Sequence, residues 1–389
     1  MKKLVFITLI LFPAVILHAE GSRGTAGAQF LEFNIGTRSL GMGEAYTANT
    51  EDINGFYYNP ATLATLKYPE ASFFHQEHIT DSRIENISAA IKIKNGYGAF
   101  GNTLFWVPAF EKTDINGNNV GDVNFYNSAT YFSYGTEFKN LMIGANIKFI
   151  YEKIDTNTYM GAGADLGLMK SFHMYTPFDS PNRNVYLGLS IQNLGTKISD
   201  HPLPRKINIG AKFIPISWLA VHTDANQYMI RKSDLYDFTY GFDESFQIKF
   251  GMEFNYLDLI FLRTGYRFND SGTYTFGLGV NYAIRNLAFS VDASVEDNAS
   301  FGYVYSINFN VKLIPKIVTV EDIAIANQYY KKGLRSYVAD DIDSAIESFE
   351  KTKEFNPYHK NIDAKIDDLS ELKRLKKANE ELEKQDSLY

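Results

Sequence analysis

The 389-residue sequence predicts an all-β membrane protein: an antiparallel transmembrane β-barrel of about fourteen strands, with an N-terminal hatch and a small C-terminal α-helical domain. Three observations carry this expectation. Apolar and polar residues alternate with period two in fourteen segments. Side chains on a strand point to opposite faces, so each segment has one apolar and one polar face. Most segments run ten to fifteen residues. An eleven-residue strand at ~3.3 Å per residue, tilted by ~40°, crosses about 28 Å, which matches a hydrocarbon layer. The connections are very short on one side and longer on the other, as in outer-membrane barrels with short periplasmic turns.

In chain order, residues 1–19 read as a secretory signal peptide, with Lys2 and Lys3, an apolar run from Leu4 to Leu17, and Ala19 before the cleavage point. The run is short for a bilayer core of ~30 Å. Residues 20–68 alternate poorly. Here Gly41 and Gly43 allow close backbone approach or positive φ. Asn59-Pro60 is a turn signal, with Pro60 suited to open a short helix. A compact, small-residue segment ahead of a wide barrel is a candidate plug.

The barrel is expected over residues 69–314, with strands starting at Glu70, Ile84, Tyr97, Asp122, Asn140, Tyr159, Asn184, Pro204, Ser217, Ser245, Leu259, Thr273, Leu287 and Phe301. In the tenth, Phe246, Ile248, Phe250, Met252, Phe254 and Tyr256 alternate with Gln247, Lys249, Gly251, Glu253 and Asn255. Very short turns are predicted at Lys94-Asn95-Gly96, Lys139-Asn140, Pro215-Ile216, Leu257-Asp258 and Arg285-Asn286. Long connections are predicted at about 111–121 and 230–244, with 174–183 an exception on the short side.

A soluble barrel would show the same alternation with its apolar face inward; the connection lengths favour the membrane. Lys92, Lys148, Lys212, Lys249, Glu253, Arg263 and Arg267 then fall in the lumen. Placing Lys or Arg on the lipid face would cost ~2–4 kcal/mol each at mid-membrane. About eight strands give a bore just filled by side chains and about 16–18 an aqueous channel, so fourteen predicts a partly plugged lumen able to hold a ligand. The cations Lys148, Lys212, Lys249, Arg263 and Arg267 are candidates to attract a carboxylate head group. The alternative is that they pair with Glu152, Asp224, Glu253 and Asp292 to fill a polar interior. Pro108, late in the third strand, cannot donate to the ladder and is a candidate kink in the wall.

From Pro315 the composition changes, and residues 316–389 are densely charged and nearly free of glycine. Tyr329, Gly333, Tyr337, Ala345, Phe349 and Pro357 are spaced as in one tetratricopeptide repeat. Ala345 would let two helices approach, with Tyr329 and Phe349 filling the gap. A third helix from about Asn361 to Gln385 would cap them or form a short coiled coil. Residues 315–389 are either a self-packed helical hairpin or a docking module for a periplasmic partner.

Several chemistries are excluded or disfavoured. There is no cysteine, so disulfides, thiolate metal sites and cysteine nucleophiles are absent. The net charge of −7 provides no basic footprint for nucleic acid. No nucleophile–base motif or P-loop occurs, and neither an enzyme activity nor a cofactor is expected. The glycines around Gly163 and Gly167 read as relief of crowding in the wall. Asp114-Ile115-Asn116-Gly117-Asn118 is oxygen-rich but lacks a full calcium loop and reads as a turn.

The run Gly36-Thr37-Arg38-Ser39-Leu40-Gly41-Met42-Gly43-Glu44-Ala45, then Glu51-Asp52, then Asn59-Pro60-Ala61-Thr62-Leu63-Ala64 resembles the hatch of the FadL-type outer-membrane barrels. It is most similar to the branch with PorV-like and spirochaetal members. The resemblance implies a fourteen-stranded barrel in the outer membrane of a diderm bacterium, surrounded by outer-membrane lipid. It also implies passive passage or binding of hydrophobic small molecules such as long-chain fatty acids, with Asn59, Pro60 and Ala61 at the gate. The chain departs from the commoner pattern in having Thr62, and Glu44 stands where a glycine is frequent. The alternative expectation is a PorV-like accessory in protein export or surface attachment, with the tail in the periplasm docking its partners.

Overall fold

All fourteen expected strands form, and they close on themselves. The computed structural model describes residues 26–229, 246–268, 272–284, 286–298, 302–314, 320–357, 359 and 362–386. The signal-peptide reading of 1–19, residues 20–25 of the hatch reading and the connection expected at 230–244 lie outside the described residues. The strands are β1 (Glu70–Glu77), β2 (Arg83–Ile93), β3 (Gly96–Thr113), β4 (Asn119–Phe138), β5 (Leu141–Ile154), β6 (Asn157–Phe172) and β7 (Val185–Gly195). They continue as β8 (Lys206–Ile216), β9 (Leu219–Tyr228), β10 (Phe246–Tyr256), β11 (Ile260–Phe268), β12 (Thr273–Ile284), β13 (Leu287–Asn298) and β14 (Gly302–Leu313). Each strand pairs with its sequence neighbours, and β1 pairs with β14 from Glu70↔Lys312 to Glu77↔Tyr305. Closure leaves no free sheet edge along the wall, which is the condition for a β-structure in lipid.

The register is apolar-out. In β5, Ile147 and Phe149 are 57% and 55% exposed, whereas Asn146 and Lys148 are 1% and 2% exposed. The same alternation runs through β12, where Tyr274, Phe276 and Leu278 are exposed and Thr275 is buried. A one-residue slip would reverse every such pair, so the alternation fixes the register.

Three connections differ most from expectation. β3 and β4 run on as a tall hairpin, so the connection there is only 114–118 rather than 111–121. β8 continues through Pro215-Ile216, and a register shift between Phe213 and Ile216 accommodates the proline. The turn is therefore Ser217-Trp218. The β5–β6 connection, Asp155-Thr156, is short although it lies at the long-loop end. Lys92 keeps its inward register but lies exposed near the end of β2. The two-residue turn Lys139-Asn140 has positive φ at both residues, which suits the twist of a hairpin; the β10–β11 turn has three residues, 257–259, with positive φ at Leu257 and Asp258. In the β3–β4 turn the Asp114 carboxylate accepts from Asn116 N, Asn118 N and Asn118 Nδ2 at 2.8–3.0 Å. The Asn118 side chain above all lowers its pKa, and the turn reading holds. Among the described residues no group of three or more His, Asp or Glu is placed to hold a metal.

The C-terminal unit consists of α2 (Val320–Val338), α3 (Ile342–Phe355) and α4 (Ile362–Asp386). Asp341 caps α3 by accepting from Ser344 N at 3.0 Å. Ala326 and Ala345 are fully buried, and a side chain at Gly333 would meet the Phe349 ring at 2.8 Å. The small residues thus let α2 and α3 approach. The aromatic arrangement is corrected: Tyr330, not Tyr329, packs on Phe349 at 5.5 Å. Tyr329 instead stacks on Phe355. Ile362 and Leu369 of α4 complete this small core.

Candidate functional site

The segment before β1 fills the bore. Residues 26–66 form short 3-10 turns at Gln29–Glu32, Ile53–Tyr57 and Pro60–Thr65, and one α-helical turn, α1 (Thr37–Leu40). Glycine and proline punctuation keeps every element short. Met42, Ala45, Ile53, Phe56, Ala61 and Leu63 are completely buried. Two 3-10 turns are capped by their preceding side chains. Asp52 accepts from Asn54 N, and Asn59 accepts from Ala61 N at 3.0 Å with Pro60 in the first turn.

The Asn59-Pro60-Ala61 turn sits on glycine. Gly135, Gly144 and Gly167 are register partners on β4, β5 and β6. A Cβ at Gly144 would lie 2.3 Å from Pro60 C and O, and one at Gly167 would lie 2.0 Å from Asn59 Oδ1. At Gly135 it would lie 2.8 Å from Pro60 O. The asparagine amide donates to Thr47 O at 2.9 Å and to Leu168 O of the wall at 3.1 Å. Gly167, read from sequence as relief of crowding, makes that room for the hatch itself.

A second glycine seat lies across the barrel. Gly251 and Gly265 pair on β10 and β11, and Gly277 follows on β12. A Cβ at Gly265 would lie 2.0 Å from Gly43 N, and one at Gly251 2.5 Å from Met42 O. A Cβ at Gly41 would lie 2.9 Å from Gly277 Cα, and Gly43 has φ +60, so both expected uses of glycine occur. Between the seats, Asp224 of β9 accepts from Tyr46 N, Thr47 N and Thr47 Oγ1 at 2.7–2.9 Å.

The lumenal cations are engaged by protein carboxylates and polar groups. Arg38 of the hatch makes a two-pronged contact with Glu253, at 2.6 and 2.7 Å. Arg263 binds the same carboxylate at 2.7 Å and Asp292 at 2.6 Å. Glu44 of the hatch binds Lys249 at 2.8 Å and also Arg267, which bridges on to Glu296. Glu44 holds a left-handed backbone, φ +63, which explains why glycine suits that position. Lys148 pairs with Asp165 at 2.7 Å rather than with Glu152, and lies over the Tyr131 ring. Lys212 donates to Thr50 Oγ1 at 2.6 Å. Each of the five candidate cations thus has a protein partner; of the carboxylates involved, Glu44, Asp165 and Glu296 are not legible as partners in the sequence. Neither is Arg38 as a wall partner; its position inside the hatch motif is the available signal.

The β2–β5 side of the lumen holds the main apolar cluster. Phe30, Leu31, Ile53, Phe56, Leu63 and Leu66 pack against Ala90, Ala99, Ala129, Tyr131 and Ile150 of β2–β5. A cavity of about 200 Å³ remains beside the hatch, lined by Phe33, Leu40, Glu44, Gln76, His78 and Arg267 among others. Pro108 lies past the last β2–β3 pair, Arg83↔Trp106, at a register shift between Val107 and Phe110. The shift falls where β3 runs on past its β2 partner.

A closed fourteen-stranded antiparallel barrel, apolar outside and crossed inside by an N-terminal segment, has the architecture of a transmembrane barrel and resembles the FadL type in fold. The chain belongs to the family described as "Uncharacterised protein family (UPF0164)", whose model matches residues 16–314. One UPF0164 protein of Treponema pallidum (strain Nichols) is 30% identical over 213 residues, covering 48% of this chain and 49% of the relative. Another is 29% identical over 165 residues, covering 39% and 48%. The chain thus spans about half the length of these relatives. The toluene transporter TodX of Pseudomonas putida superposes with a TM-score of 0.50 at 12% identity, over 72% of this chain and 97% of that one. The toluene transporter TbuX of Ralstonia pickettii gives 0.47 at 14% identity, also over 72% and 97%. At these identities the likeness is one of fold.

Proposed function

We propose that the protein is an outer-membrane channel for hydrophobic small molecules, with residues 20–68 as its hatch and no enzyme activity. The observation that carries this reading is the uneven bore: the main apolar and aromatic cluster packs against β2–β5, and most of the buried ion pairs lie along β10–β13. That the named neighbour TodX is a toluene transporter agrees with the reading. Long-chain fatty acids are one substrate class within it. In liposomes, the purified protein should speed entry of a hydrophobic tracer, with fatty acid and toluene as separate arms. Asn59→Ala, which removes the cap and the bond to Leu168, should change that rate. Rates equal to those of protein-free liposomes, for both variants and both tracers, would rule the channel out.

A second reading, a PorV-like accessory docking a periplasmic protein through residues 315–389, is favoured by one observation. Ile323, Leu334, Tyr337 and Val338 of α2 are exposed, Val338 at 86%. They recur at helical spacing as an apolar stripe, and a single repeat-like hairpin does not bury its own faces. Intact protein should copurify a partner that a chain ending at Pro315 loses. Identical sets of bound proteins from the two preparations would remove this reading.

A further inference from the structure

We propose that the hatch is two lobes of unequal mobility, in which residues 36–50 swing off the β8–β14 wall while residues 53–66 stay seated, with Glu51 as the hinge. This rests on the channel reading above. It assigns the Asn59-Pro60-Ala61 turn to the fixed anchor rather than to the moving gate.

The two lobes are held by different chemistry. The first touches β8–β14 through charge and polar groups: Arg38 on Glu253, Glu44 on Lys249 and Arg267, Thr47 on Asp224, and Thr37 on Ser306; its apolar wall contacts are few, Leu40 with Phe74 and Ile84 and Ala48 with Met142 and Met169. The second is held by neutral bonds and apolar packing. Asn146 donates to Phe56 O, Ser190 to Tyr58 O, and Ile53, Phe56, Leu63 and Leu66 lie in the largest apolar cluster of the lumen. β5 and β11 or β12 lie six or seven places apart in a ring of fourteen strands, so the glycine seats face each other across the bore.

The cost of release differs accordingly. Pairing of buried charges does little more than offset their desolvation, and water entering the bore would rehydrate them. Exposing the apolar lobe has no such compensation. Two further observations place the strain in the first lobe. The Asn49 amide is fully buried, and neither its Oδ1 nor its Nδ2 meets a hydrogen-bond partner among the described residues. Glu44 carries a left-handed backbone, as does Glu51, and Glu51 is the one exposed residue between 36 and 66. Buried polar groups without partners are unfavourable, and swinging the lobe into water would satisfy Asn49. The passage so uncovered runs along Lys212, Lys249, Glu253, Arg263 and Asp292, buried while the hatch is closed, and the half-buried Arg267.

The cysteine-free sequence makes the test direct. Thr37 Oγ1 and Ser306 Oγ are 3.0 Å apart, so Thr37→Cys/Ser306→Cys would lock the first lobe to β14. Asn54 Nδ2 and Ser72 Oγ are 3.2 Å apart, so Asn54→Cys/Ser72→Cys would lock the second lobe to β1. In planar bilayers in potassium chloride, Glu44→Gln should raise the open fraction by about tenfold or more, because it weakens a buried ionic contact made only when closed. Oxidising the first lock should abolish that gain, and reduction should restore it; oxidising the second should leave the gain intact. On the unmodified protein in detergent, amide hydrogen exchange should be faster over 37–50 than over 53–66, a readout that needs no variant to fold. Suppression by the second lock, by both locks, or by neither, or equal exchange in the two lobes, would overturn the division. A chain lacking residues 36–66 that conducts no better than the intact protein would instead overturn the channel reading itself.

Discussion

Gly144→Ala should unseat the hatch and lower the stability of the barrel by about 1–3 kcal/mol, the range for overpacking a filled interior. The added carbon would stand 2.3 Å from the carbonyl carbon and oxygen of Pro60 and 2.5 Å from Ala61 N. These are backbone atoms of a turn whose φ is fixed by proline, so no rotamer change relieves the contact. Gly265→Ala meets Gly43 N at 2.0 Å and should act alike on the opposite wall. The two sites share no partner, so their effects should add to within a few tenths of a kcal/mol. Gly117→Asn is the control: its φ of +84 tolerates asparagine, and nothing lies within 4 Å. Urea unfolding in lipid vesicles, followed by intrinsic fluorescence, measures all four proteins. A midpoint for Gly144→Ala equal to that of Gly117→Asn would mean that the seat yields freely.

Glu253→Gln should cost more, about 3–5 kcal/mol, as expected when one partner of a buried ionic cluster is removed. Its carboxylate is the shared counter-ion of Arg38 and Arg263, and its side chain is 6% exposed. Arg263 keeps Asp292 at 2.6 Å, so the guanidinium left worse off is that of the hatch, Arg38, whose remaining carboxylate is Asp52 at 3.7 Å. Arg38→Met should therefore recover part of the loss in a Glu253→Gln background. Strictly additive losses, measured in the same vesicles, would show that the hatch and wall charges are not coupled.

How much of this was legible in sequence follows from the range of each interaction. Strand identity was readable because alternation is local: β5 places Ile147 outside and Lys148 inside whatever its neighbours do. The start of β4 was missed because the stretch from Asn119 to Asn124 is exposed or half-exposed in a hairpin that leaves the wall, where no buried face imposes a pattern. Pro215 reads as a turn because proline usually ends a strand, and a register shift lets β8 continue past it. Tyr329 and Tyr330 are adjacent, and spacing could not decide which of the two faces Phe349. In the hatch, Gly43 and Asn59-Pro60 were read correctly as backbone signals, since positive φ and helix capping are properties of the residue itself.

The sequence by itself determined the wall: fourteen crossings, their register and the polar character of the bore, all consequences of a period-two code written against lipid. It also marked the hatch as a separate segment that does not obey that code. Only the tertiary structure decided what the hatch touches. Arg38 meets Glu253 across 215 positions and Glu44 meets Arg267 across 223. Gly135, Gly144 and Gly167 become one seat only when three strands align side by side. Ion pairs and close backbone approach act over a few ångströms, and nothing in a linear pattern of apolar and polar residues records which distant positions barrel closure brings within that distance.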